Sequence, residues 1–187
     1  MLLHFIAITT PAEVDSQVLR FKQYMLEQYG CKVALRSPAH ITLIPPFSLP
    51  EAQKDLLRHT MQDFAASMAD FIVELKNFSR FPTRVIYVDV VQSEQLQQTQ
   101  GLLEERLLPH FPIKRSTHPF HPHVTIANRD LDQSYFGEAW DHFKEQEFGA
   151  AFFASGLSLL QYNGSRWQVV YTAPFAGRQD NFVQALF

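Results

Sequence analysis

The chain has 187 residues, of which 46% are apolar and 19% charged, with a formal net charge of −3 and a single cysteine, Cys31. Seventeen Phe supply a sizeable core, which excludes a disordered chain. The slight acidity excludes a broad basic nucleic-acid-binding surface but leaves room for a pocket that takes one phosphate, and a lone cysteine excludes an intrachain disulfide and cysteine-rich zinc sites.

In chain order, Leu2 to Thr9 reads as a buried strand, and Pro11 opens a helix to about Tyr29, with Val14, Val18, Phe21, Met25 and Leu26 at helical spacing and Gly30 closing it. HITLI, from His40, is a short strand expected to stop at Pro45-Pro46. Glu51 to Ala69 is a second helix with Leu56, Leu57, Met61, Phe64 and Met68 inward, and Phe71 to Phe78 alternates as a strand. VIYVDVV from Val85 is a strand, Glu94 to about Leu108 a helix, HVTIA from His123 a strand, and Leu131 to about Glu145 a helix. Ala151 to Tyr162 is a strand that NGSR turns back into WQVVYTAPF, with Tyr162 and Trp167 packing across the hairpin; the tail 174–187 is polar and expected to be loosely held.

Each half therefore reads strand, helix, strand, helix, strand. A shift of 83 residues, the separation of His40 and His123, lays Leu2 on Val85, Thr42 on Thr125 and Phe71 on Ala154. The expected architecture is α+β and bilobal: two pseudo-symmetric sheet-plus-helices lobes around a central cleft. The halves fall at about 1–80 and 84–173 of one domain spanning 1–187. The cleft is the natural ligand site.

The two copies of His-x-Thr carry the chemistry. Residues i and i+2 of a strand share a face, so His40 sits beside Thr42 and His123 beside Thr125, with Ile41, Leu43, Val124 and Ile126 pointing into the cores. One such motif has little weight. Two, each on a strand with aliphatic residues behind it, bring two imidazoles and two hydroxyls to one cleft. That set suits attack on a phosphodiester without a metal: one histidine removes a proton from the nucleophile, the other protonates the leaving oxygen, and the hydroxyls donate to the phosphate oxygens.

HITLIPPF, FHPHVTIA and the closing RWQVVYTAPF hairpin resemble the 2H phosphoesterase superfamily, which includes LigT-like 2′-5′ RNA ligases and RNA 2′,3′-cyclic phosphodiesterases. The resemblance implies a bilobal α+β fold and metal-independent cleavage or transfer at a 2′,3′-cyclic or 2′-5′ phosphodiester of RNA or a nucleotide. It implies catalytic His40 and His123, phosphate-binding Thr42 and Thr125, and no cofactor. Many LigT-like members carry Arg or another polar residue directly after the second motif's strand. Here Asn128 intervenes, and Arg129 one place later is a candidate contact.

Further candidate contacts are Lys114 and Arg115 of KRSTHPFHPH, as a loop steering phosphate, and Phe47 and Phe120, as stacking partners for a base. His118, His121 and His123 raise a metal site, but no carboxylate or cysteine accompanies them, and no metal is expected. Arg80 and Arg84 read as solvated. Two other readings stand beside the enzyme: a non-catalytic RNA- or nucleotide-binding module of the same fold, and a metallohydrolase using the histidine cluster. MLLHFIAITT lacks a basic lead-in, and AAFFASGLSLL is far short of the roughly 20 residues that span a bilayer. A soluble, cytoplasmic, monomeric protein with no membrane contact is the expectation.

Overall fold

The computed structural model describes residues 2–82 and 85–177. Within them, eight strands and four α-helices follow one another as β1 (Leu2–Thr9), α1 (Ala12–Tyr29), β2 (His40–Leu49), α2 (Lys54–Ala66), β3 (Phe71–Phe81), β4 (Val85–Val90), α3 (Glu94–Leu107), β5 (His123–Ala127), α4 (Phe136–Phe143), β6 (Gly149–Ala154), β7 (Gly156–Tyr162) and β8 (Trp167–Pro174). They build two four-stranded antiparallel sheets, in the orders β2-β1-β7-β8 and β5-β4-β3-β6. The α+β architecture with two lobes is the one expected.

The sheets do not divide the chain at its middle. β3 leaves the first half to pair with β4 and β6, and β7 leaves the second half to pair with β1, with β8 beside it on its other edge. The lobe halves 1–80 and 84–173 are therefore not the units of the fold. Phe71 and Ala154, laid on each other by the 83-residue shift, are instead direct partners in the β3–β6 ladder. The expected single strand from Ala151 to Tyr162 breaks at Ser155, where the chain passes from one sheet to the other. Gly156 permits that passage: a Cβ there would meet the carbonyl oxygen of Ala173 at 2.6 Å. Helices cross as well. α1 packs on β5 and α3 packs on β2, so each lobe's first helix supports the other lobe's motif strand.

A repeat nonetheless exists, and it lies in the register. Thr42 pairs with Ala7 and His40 with Thr9; Thr125 pairs with Tyr87 and His123 with Asp89. In both strands an irregularity follows immediately, so that Ile44 pairs with Ile6 and Ala127 with Ile86. The extra residue lets two successive apolar side chains turn inward, Leu43 with Ile44 and Ile126 with Ala127, all buried. β2 and β5 occupy equivalent edges of their sheets.

The edge position explains why β2 runs through Pro45-Pro46 to Leu49 rather than stopping. An edge strand needs no ladder hydrogen bond on its open side, and the two exposed prolines fall in a second bulge, between the pairs Ile6–Ile44 and His4–Phe47. Other boundaries are shorter than their periodicity: a 3₁₀ turn (Glu51–Gln53) precedes α2, and another (Gln133–Tyr135) precedes α4. Leu56 projects to solvent at 52% exposure, whereas Leu57, Met61 and Phe64 are buried. The start of the tail is held, not loose. Phe175 is buried against Phe71, and Ala176 N–H donates to the Met68 carbonyl at 2.8 Å. The remainder of the tail and Arg84 lie outside the described residues. Among the described residues no helix is long and apolar enough to cross a membrane.

Candidate active site

Period two puts His40 and Thr42 on one face of β2 and His123 and Thr125 on one face of β5, each half-buried, with Ile41, Leu43, Val124 and Ile126 buried behind them. The two edge strands pack against each other. His40 and His123 are near enough that the charge of one opposes protonation of the other.

The two imidazoles are held alike. His40 Nδ1 lies 2.7 Å from the Pro38 carbonyl oxygen, and His123 Nδ1 lies 2.8 Å from that of His121. A carbonyl only accepts, so each Nδ1 carries the proton and each Nε2 presents a lone pair. Neither Nε2, nor the hydroxyl of Thr42 or Thr125, has a hydrogen-bond partner among the described residues. Each ring rests on aromatic side chains. His40 packs on Phe5, with ring centroids 4.8 Å apart, and Phe5 in turn packs on Trp167 beside Ala7 and Leu160. His123 packs on Phe81 and Tyr87, at 5.0 and 5.1 Å.

Their electrostatic surroundings differ. Burial, with the Lys22 ammonium and His123 acting in the same sense, holds His40 down at about 4, against the hydrogen bond to Pro38 and the charge of Asp15. Burial also lowers His123, as does His121, but the Pro-flanked His121 carbonyl and the Asp89 carboxylate oppose the shift. His121 is itself engaged: its Nε2 is 3.0 Å from the Tyr87 hydroxyl and 3.7 Å from Asp89 Oδ1. Lys22 is 3% exposed, and burial brings its own pKa down to about 8.

The remaining candidate contacts separate into three groups. Phe47 is 5% exposed, pairs with His4 and lies in the main core, on the face of the sheet opposite His40; it is packing, not a stacking platform. Arg115 and Phe120 line a 190 Å³ hollow together with Leu43, Pro45, Gln100, Glu104, Ser116 and His118. Arg115 Nη1 is 3.9 Å from Glu104 Oε2, and Phe120 packs partly on the core. Lys114 and Arg129 are exposed, and Asn128 Oδ1 accepts from the Arg129 N–H at 2.7 Å. A wider concavity of about 710 Å³, beside Glu74, Asn77 and Phe148, contains neither motif histidine. Among the described residues, no three His, Cys, Asp or Glu side chains are grouped to hold a metal ion.

Sequence reasoning missed Lys22, Asp15, Tyr87, Asp89 and Asp130. One signal was available: Lys22 interrupts the stripe Val14, Val18, Met25 at the position where an apolar residue belongs. Asp130 closes the HVTIANRD run, and its Oδ2 accepts from the N–H groups of Lys32 and Val33 at 2.5 and 2.8 Å, tying the exit of β5 to the approach of β2.

The family model described as the 2'-5' RNA ligase superfamily matches residues 10–166. A protein named as a phosphoesterase from Oceanobacillus iheyensis is 28% identical over 141 residues, covering 72% of this chain and 78% of the relative. A similarly named protein from Staphylococcus epidermidis is 28% identical over 137 residues, covering 71% and 78%. Among solved structures, E. coli LigT complexed with 3'-AMP superposes with a TM-score of 0.69 at 18% identity, covering 93% of this chain and 98% of LigT. TT0787 of Thermus thermophilus superposes with a TM-score of 0.67 at 21% identity, covering 96% and 100%. At these identities the structural likeness speaks for the fold.

Proposed function

Because the chain belongs to the 2'-5' RNA ligase superfamily, we propose that it is a metal-independent phosphoesterase acting on 2',3'-cyclic or 2'-5' phosphodiester bonds of RNA or nucleotides. The observation that carries this reading is the duplicated edge: two contacting strands, each with an imidazole held through Nδ1 to the carbonyl two residues back and a free hydroxyl beside it. LigT, the structural neighbour above, has been crystallised with 3'-AMP, which agrees with a nucleotide ligand for this fold.

In hydrolysis of a 2',3'-cyclic phosphate, one imidazole Nε2 takes a proton from water as its oxygen bonds to phosphorus. The opposite P–O bond to the ribose then breaks, and the second imidazole, which enters the step as an imidazolium with its Nε2 also protonated, donates that proton to the departing ribose oxygen. Thr42 and Thr125 donate to the non-bridging oxygens, where charge gathers. The electrostatics favour His40 as base, since burial and Lys22 keep it unprotonated, and His123 as acid, since burial lowers it too but no lysine lies behind it and Asp89 opposes the lowering. Ligation runs the same steps in the same direction, with a ribose hydroxyl in place of water, and cleavage of a 2'-5' bond runs them in reverse, with the neighbouring ribose hydroxyl re-forming the cyclic phosphate.

The test is turnover of nucleoside 2',3'-cyclic phosphates and 2'-5' dinucleotides in excess EDTA, with the product isomer identified. Release of a phosphomonoester that survives EDTA and is lost in H40A and H123A supports the reading. Binding without turnover indicates a binding module instead, and activity abolished by EDTA indicates a metal enzyme.

A further inference from the structure

A buried lysine in an apolar helix face needs a reason, because an ammonium withdrawn from water is costly unless it is paired and hydrogen-bonded. Lys22 has both partners. Its Nζ donates to the Ser37 carbonyl at 3.0 Å, and Asp15, two turns earlier on α1, stabilises its charge. Asp15 Oδ1 also accepts from the Ala39 N–H at 2.6 Å. One helix thus grips both sides of Pro38, whose carbonyl accepts from His40.

The other lobe has the same device with different chemistry. Ser37 is three residues before His40; Phe120 is three residues before His123. Gln97 Nε2 of α3 donates to the Phe120 carbonyl at 3.3 Å. Each histidine is therefore preceded by a carbonyl held from a helix. The holder is an amide in one lobe and an ammonium in the other.

We propose that Lys22 is a positioning residue for His40, which fixes the Ser37–Ala39 run that aims the imidazole and, being the charged member of the Lys22–Gln97 pair, sets His40 apart from His123 as the base. The inference rests on the paired-histidine reading of the site. The charged groups that act on His40 are Lys22 and Asp15 from α1 and His123 from β5. Of these, Lys22 is a cation at neutral pH, so it opposes a second positive charge on the ring. Removing it lets His40 protonate at higher pH, which withdraws the base.

Three variants separate anchor from charge. K22M removes both, K22Q keeps a donor for Ser37 but copies the neutral anchor of the other lobe, and K22R keeps donor and charge. Two readouts are needed: kcat and KM on a nucleoside 2',3'-cyclic phosphate across pH, and titration of the His40 and His123 rings by NMR. K22M is expected to lower kcat about 10–100-fold, the cost of a slightly misaimed group, with KM within about threefold. In K22M and K22Q the His40 titration and the acid limb of kcat/KM move to higher pH while His123 stays, and K22R restores the titration and most of kcat. An unmoved His40 titration in folded K22Q overturns the proposal, as does K22R as damaged as K22Q. If K22M does not fold, the K22Q–K22R comparison decides alone. A wild-type protein that turns over none of the substrates sinks the functional reading, yet the ring titrations still judge Lys22.

Discussion

Acidification should destabilise this protein through His40 in a way that one substitution reveals. In the fold the imidazole is held neutral down to about pH 4, while in the unfolded chain it takes its proton near the ordinary 6.5. Above about 6.5 both states are neutral, and His40 adds nothing to the pH dependence. As pH falls from there, the unfolded chain binds a proton that the fold refuses, so stability is lost progressively down to about 4 and levels off below it. At about 1.4 kcal/mol per tenfold, the gap between the two values corresponds to on the order of 3 kcal/mol at pH 4. Buried His4 and half-buried His123 are also shifted down by burial and lose stability in the same direction, so wild type alone cannot isolate the effect. The measurement is urea unfolding of wild type and H40N at several pH values between about 7.5 and about 4. Whatever separates the two proteins at neutral pH, H40N should gain on wild type by about 3 kcal/mol on reaching pH 4. A constant separation across that range would refute the claim that His40 is kept neutral by its surroundings.

H40A and H123A should each lower kcat by about 10²–10⁴-fold in steady-state assays, with the double variant less damaged than the product of the two losses, because the pair acts on one transition state. T42V and T125V, which remove one donor each, should cost about tenfold to a thousandfold in kcat; wild-type rates would show that the hydroxyls do not touch the phosphate. Gly156→Ala should destabilise by about 1–3 kcal/mol in thermal or urea unfolding, because the new methyl meets backbone oxygen where β7 enters its sheet; an unchanged Tm would mean that β8 yields freely there.

The local elements were legible because local pattern encodes them. Alternation placed His40 with Thr42 and His123 with Thr125, helical spacing placed α1 and α3, and the turn at NGSR placed the last hairpin. These depend on a residue's near neighbours in the chain, and the sequence contains those neighbours. Phe47 shows the limit. It follows the first motif closely, yet it stands an odd number of residues from His40, and it reaches the core face because two bulges, one after Thr42 and one at the prolines, cancel; no periodicity reports bulges made on an edge strand. The same limit hid the exchange of β3 for β7 and β8, since strand partners are chosen by contacts between residues far apart in sequence, such as Ala7 with Ser158. Neighbours along the chain were enough to specify two equivalent strands that each present an imidazole and a hydroxyl. Packing was needed to make those strands the edges that meet, and to set a lysine from a crossing helix behind one imidazole while a glutamine serves the other. The charge that distinguishes the two histidines arrives through space, from α1, and through-space neighbours leave no period in a chain.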